Sequence, residues 1–385
     1  PRPAAAKESG AGHSIPEMVK GWENPTYSPD STKIAYTLNG NLYSIEVASR
    51  RIRQHTFDGS EVMLNGYASW VYYEEIFGRR SNYKAFWWSP DSRTIAFYRF
   101  DNSKVPMFPI YLADGQHGTL RQTRYPKAGN SNPLVRVGFV SVAGNSPVWA
   151  DFDFKGDHYF GIPFWDKKGE RFIVTWMDRS QDNIVFYSVD PLFGTKRQIY
   201  SEHQDTWVDW PEEMLFTDDG FYFVRDYEKW QHIYYLSYEG KNFSYAGDNA
   251  PLWRTHLLKV DGKYLFYTAC RESSLRQDIY RITLKTGKTE RVSFGDYDFR
   301  GVRISEDSRR ITAVASNSTT PEMEVEITLP NYLPADKARI KVLHDTKGPE
   351  FDKYRIATQE IVPIRLRGGD TIPVAVIWPF AMDRS

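Results

Sequence analysis

The stretch Trp88-Ser89-Pro90-Asp91-Ser92, running into Ile95-Ala96-Phe97-Tyr98, sets an aromatic residue, a tight polar turn and a β-rich run in order. The same order stands earlier as Tyr27-Ser28-Pro29-Asp30-Ser31 before Ile34-Ala35-Tyr36. Pro, Asp, Ser and Gly serve such turns because they fix φ, tolerate unusual dihedrals or bind nearby amides. Weaker copies are Asp166-Lys167-Lys168-Gly169 before Phe172, Phe216-Thr217-Asp218-Asp219-Gly220 before Phe221, Val260-Asp261-Gly262-Lys263 before Tyr264, and Ile304-Ser305-Glu306-Asp307-Ser308 before Ile311, making six copies. Further strands with period-two alternation follow, such as Asn41 to Ile45, Asn183 to Tyr187, His232 to Leu236 and Asp278 to Ile282. The later copies recur at roughly 40 to 50 residues, the period of a four-stranded propeller blade. The expected fold class is therefore all-β, a β-propeller of four-stranded blades.

The first two intervals between copies are longer and hold insertions, Tyr67 to Arg80 and Met107 to Gly129. Inserted segments on a repeat scaffold tend to lie on one face and to carry binding. Trp70 to Phe77 is the best helical candidate, and it is short.

Composition excludes several classes. The chain of 385 residues has 49 basic and 49 acidic side chains, so it lacks the clustered positive excess that nucleic-acid binding needs. One cysteine, Cys270, removes an internal disulfide framework and any Cys-rich zinc site. The eight histidines show no metal-ligand spacing, and neither a metal nor a cofactor is expected. No run approaches the roughly 18 apolar residues of a membrane span. Pro1 at one end, and Asp383-Arg384-Ser385 after the apolar run Ile372 to Phe380 at the other, read as cut ends of a longer protein.

The chemistry concentrates in Ser69-Trp70-Val71-Tyr72-Tyr73-Glu74-Glu75-Ile76-Phe77, where adjacent carboxylates lie among large apolar side chains. Partial desolvation makes each carboxylate seek a cation, and two together suit the three donors of a primary ammonium. A solvated acidic turn, or pairing with Arg79 and Arg80, accounts for the same residues. For those two arginines a solvated face is the favoured reading over screening of the glutamates. Cys270 lies in a strand-like run and reads as a core filler. No Gly-x-Ser-x-Gly elbow and no Ser, Asp and His set in hydrolase order occur, so no catalytic residue is expected in this chain.

Trp70 to Phe77, followed by Trp87-Trp88-Ser89-Pro90-Asp91, closely resembles the glutamate-motif segment of the dipeptidyl peptidase IV branch of the prolyl oligopeptidase clan. The resemblance continues through Phe100-Asp101-Asn102, Val105-Pro106, Tyr125-Pro126-Lys127-Ala128-Gly129 and Asn132-Pro133. It implies an eight-bladed propeller over an α/β-hydrolase domain, with the first blade or so lying before Pro1. Glu74 and Glu75 would bind the substrate's free α-ammonium from a short helical insertion. Trp207 and Trp210 fall where the family places aromatic contacts beyond the primary pocket, although blade-edge packing explains them equally well. The family's substrate-contacting arginine lies too far upstream to match.

Residues 1–355 are accordingly expected to form the propeller, and 356–385, with the turn Gly368-Gly369-Asp370, to begin the hydrolase domain. The implied function is substrate gating and amine binding in a serine dipeptidyl or tripeptidyl aminopeptidase cleaving after Pro or Ala. The implied partners are peptides with free N-termini, the hydrolase domain in cis and a second copy of the chain. The implied location is periplasmic or secreted, and this piece alone is expected to be inactive. The rival readings are a non-catalytic propeller for protein or glycan binding, including an inactive relative, and an envelope scaffold propeller.

Overall fold

In the turn after Trp88, Asp91 Oδ1 accepts from Ser89 Oγ at 2.5 Å and from the Arg93 amide at 3.1 Å, and Ser89 Oγ accepts from Thr94 N at 2.9 Å. Ser28 to Lys33 and Ser305 to Arg310 repeat these bonds, and Ser31, Ser92 and Ser308 share left-handed φ values of 59°, 61° and 58°. The turn chemistry thus fixes where the first strand ends and the second begins.

The computed structural model describes residues 18–144, 146–329, 338–357 and 359–380. Among these, six antiparallel sheets of four or five strands follow in chain order over 23–54, 63–149, 158–203, 214–245, 253–291 and 298–345. The chain is a β-propeller of four-stranded blades. Each of the six turn copies lies between the first and second strands of one blade. In blades two and three the first strand is split into two pieces, Met63–Asn65 with Phe86–Trp88 and His158–Phe160 with Phe164–Trp165, each pair flanking the second strand.

Alternation along each second strand explains how the blades pack. In Thr94–Asp101, Ile95 and Phe97 meet Ala35 and Leu42 of blade one, whereas Ala96, Tyr98 and Phe100 meet Phe160, Phe172 and Val174 of blade three. In Phe172–Asp178, Phe172 and Val174 face blade two, and Ile173 and Met177 face Phe221 and Phe223 of blade four. In Tyr264–Cys270, Leu265 and Tyr267 face blade four and Phe266 faces Phe299 and Ile311 of blade six. Side chains of a strand point alternately to its two faces, so a blade with two buried faces needs a nearly continuous apolar run. Phe97, Phe172 and Phe266 are fully buried, and burial of such a side chain contributes about 1.5–3 kcal/mol. Cys270 closes its strand as a buried core residue whose thiol is pushed up by burial.

Helix among the described residues is confined to single turns, and none is long and apolar enough to cross a membrane. A hairpin of Met107–Leu112 and Thr119–Arg124 stands in the second insertion, inside blade two. A separate hairpin of Gln359–Arg365 and Thr371–Ile377 follows the sixth blade, closed by Leu366 N–H donating to Asp370 O at 2.7 Å with Gly369 at φ 95°. The expected turn at Gly368-Gly369-Asp370 is present and joins these two strands.

Candidate functional site

The first insertion leaves the sheet between the two halves of the split first strand of blade two. Gly66 N–H donates to Tyr98 O and Gly66 O accepts from Ala85 N, both at 2.9 Å, so the two ends of the insertion are tied together at its base. Tyr72–Ile76 then forms a single π-helical turn, closed by Phe77 N–H donating to Tyr72 O at 2.7 Å. Such a wide turn brings residues five apart to one side, and Tyr72 and Phe77 are both buried with ring centroids 5.5 Å apart. Glu74 and Glu75 occupy the outward side, half-buried and exposed respectively.

Tyr72 holds the turn. Its ring packs edge-on against Phe100 with centroids 4.8 Å apart, and its Oη accepts from Phe160 N–H at 3.0 Å across the blade boundary. Burial pushes its phenol far above the ordinary range, so it stays neutral. Tyr73 takes the opposite direction, stacking on Tyr83 at 3.8 Å, and Tyr83 stacks on Tyr67 at 5.0 Å. Tyr83 sits at φ 65°, and its carbonyl accepts from Ala68 N at 2.7 Å.

The two insertions meet at this turn. Trp70 lies edge-on to Tyr73 at 6.1 Å and to Tyr125 at 6.0 Å, with the Arg121 guanidinium 5.8 Å from its ring. Tyr125 packs on Phe108, which carries Lys127 over its ring at 4.8 Å. Aromatic stacking and cation–π contact therefore stiffen the flank of the glutamate turn.

Arg79 grips Glu74. Its Nε donates to Oε1 at 2.9 Å and to Oε2 at 3.0 Å, and its Nη2 donates to Oε1 as well. Arg79 opens a single 3-10 turn, Arg79–Ser81, behind Gly78 at φ 77°. A Cβ on Gly78 would meet nothing, so the left-handed dihedral alone calls for glycine there. The preferred reading of Arg79 as merely solvated is corrected: it is exposed and also bidentate on Glu74, because the tight 78–83 return aims it back over the π turn. Arg80 is exposed.

Trp207 and Trp210 lie in the connection from blade three to blade four. Trp207 is exposed and donates from Nε1 to Asp209 Oδ1 at 3.0 Å. Trp210 packs against Gly161, where a Cβ would come within 2.9 Å of its ring. Gly161 follows Phe160, whose amide binds Tyr72, and Gly161 O accepts from Tyr98 Oη at 2.9 Å. Trp210 is therefore linked through one strand to the base of the glutamate turn, and Trp207 is not brought to it. A buried pair fixes this connection: Arg225 donates from Nε and Nη2 to Glu202 at 2.7 and 2.9 Å, and from Nη1 to Asp209 O at 2.8 Å. Burial pushes the Glu202 carboxyl up, but Arg225, Tyr200 and Gln204 outweigh it and hold that carboxyl below its usual range.

Residue types and spacing did not disclose the Tyr67–Tyr83–Tyr73 stack or the Tyr72 anchor, and they left pairing of the glutamates with Arg79 open as one of two readings. The available signals were the five-residue spacings of Tyr72 to Phe77 and of Glu74 to Arg79, which no α-helical pairing rule flags.

Comparison with known proteins bears on the fold and the family. A crystal structure of dipeptidyl peptidase 4 from Porphyromonas gingivalis is similar with a TM-score of 0.79 and 23% identity, covering 95% of this chain and 52% of that one, which establishes the shared fold. In sequence, dipeptidyl peptidase 4 of Sus scrofa is 29% identical over 287 residues, covering 67% of this chain and 37% of that protein. A probable dipeptidyl-aminopeptidase B of Pyrenophora tritici-repentis is 26% identical over 310 residues, covering 72% of this chain and 35% of that protein. The matched region thus spans about a third of the length of these curated relatives. Residues 7–322 match the family described as the dipeptidyl peptidase IV (DPP IV) N-terminal region, and the chain belongs to that family.

Proposed function

We propose that this chain is the substrate-gating and amine-binding propeller of a serine-type dipeptidyl or tripeptidyl aminopeptidase that cleaves after proline or alanine. The observation that carries the reading is the π turn itself, which carries Glu74 and Glu75 at consecutive positions, half-buried and exposed, while Tyr72 ties it to blade three. An exopeptidase must count from the N-terminus, and an anion pair fixed on a rigid scaffold does so by capturing the α-ammonium. A blocked N-terminus supplies no charge and leaves Glu75 without a cation. Trp210, adjoining the strand that anchors the turn, suits contact with the peptide beyond the primary pocket.

The relatives named as dipeptidyl peptidases are about three times as long as the matched region. In this reading residues 1–355 are the propeller, 356–385 lead into the hydrolase domain, and the nucleophile and its partners belong to that domain. In the full-length protein, Glu75→Gln lowers kcat/KM for free-amine dipeptide reporters by about 100-fold or more. Unchanged kinetics would remove the amine-anchor reading.

A further inference from the structure

Glu74 and Glu75 are neighbours in sequence, yet they differ in occupancy. Both oxygens of Glu74 are engaged by Arg79, whereas Glu75 has no side-chain hydrogen bond or ion pair among the described residues. Arg79 adds a cation to this carboxylate pair, delivered by the 78–83 return and not by the blade scaffold. We propose that Arg79 is a built-in competitor for the substrate ammonium: it holds Glu74 in the free protein and is displaced from it when a peptide N-terminus arrives. This inference rests on the amine-anchor reading above.

Three features carry it. The guanidinium and an ammonium are donors of the same charge seeking the same carboxylate oxygens, so both cannot saturate Glu74. The Arg79 side chain is 72% exposed while that of Glu74 is 21% exposed, so the arginine occupies the solvent side of the pair and can swing into water without opening the core. An exposed ion pair of this kind is weak and salt-sensitive, which suits a contact that must yield to each substrate. By contrast, Tyr72 and Tyr73 are packed on both flanks, so the carboxylates stay in place when the arginine leaves.

The competitor role makes Arg79 a determinant of KM. In the full-length protein, Arg79→Gln lowers KM for a free-amine dipeptide reporter about two- to five-fold, with the change mainly in KM. Arg79→Lys, which keeps the charge, stays nearer the parent KM. The advantage of Arg79→Gln shrinks as ionic strength rises from about 20 mM to about 500 mM, because screening loosens the native pair. Thermal unfolding of both variants, expected to match the parent at this exposed position, verifies that they fold. A KM that is unchanged or raised in Arg79→Gln, with Glu75→Gln still impaired, overturns the competitor role and leaves the anchor reading standing. Unimpaired Glu75→Gln overturns both.

Discussion

Arg225 and Glu202 show what one residue does when water is withdrawn from it. Each side chain is 3% exposed, and the pair stays charged because Tyr200, Gln204 and the Asp209 carbonyl complete its hydrogen bonds. A buried pair of this kind gains little over an apolar one, but losing one partner strands the other charge. Arg225→Met is expected to destabilise the chain by about 3–5 kcal/mol in urea unfolding at pH 7. The sign of its pH dependence follows from Glu202. In the parent the folded carboxyl is depressed, so its stabilisation is complete above the ordinary glutamate value of about 4.3 and is lost as pH falls through the lower folded value. Without Arg225, burial dominates and raises that carboxyl, so the variant recovers relative stability on protonation. The gap between the two proteins is expected to be wider at pH 7 than at about pH 4.5. A gap that widened on acidification would place the stabilising charge elsewhere.

At the scale of the element, the serine–aspartate turns are short enough that local chemistry decides them. Asp91 binds the Ser89 hydroxyl and the Arg93 amide, each two residues away, and the Ser92 hydroxyl accepts from Asp30 N at 3.1 Å in the preceding blade. Asp91→Ala is expected to cost about 1–2 kcal/mol, and Asp91→Asn, which keeps a carbonyl acceptor, less than half of that by the same denaturation measurement. Equal losses would show that the carboxylate's charge, not its acceptor geometry, matters. Such turns were legible in the sequence because Ser, Pro, Asp and Gly act on their own immediate backbone. The blade strands were legible too, since Ile34 to Tyr36 and Ile95 to Tyr98 read as β-rich runs directly after those turns. The inside of the glutamate insertion was not. Whether Tyr72 or Tyr73 turns inward depends on a π turn and on Phe160, 88 residues away, and no local preference encodes either. Arg79 read as solvated for a similar reason, because its approach to Glu74 is set by the left-handed residues Gly78, Asn82 and Tyr83.

At the scale of the whole molecule, stability is passed from blade to blade. In blades two to five the second strand shares one face with the blade before and the other with the blade after, so each of these blades is clamped on both sides. Polar turn contacts reinforce this, as where Lys259 Nζ donates to Ser305 O at 2.7 Å between blades five and six. The hairpin Gln359–Ile377 is joined differently. Among the described residues its strands pair with each other and with no blade strand, and Ile361, Ile364, Ile372 and Ile377 are exposed. An element without a shared ladder or buried face adds little to the cooperative unit. Deleting residues 356–385 is therefore expected to leave the thermal midpoint of the propeller within about 2 °C of the parent, since loss of even 1 kcal/mol moves a large domain by only about 2–4 °C. Limited proteolysis of the parent is expected to cut first between Asp345 and Gln359, ahead of any cleavage within the blades. A drop of ten degrees or more, or first cleavage inside a blade, would place the hairpin within the propeller's own folding unit and move the proposed domain boundary beyond it.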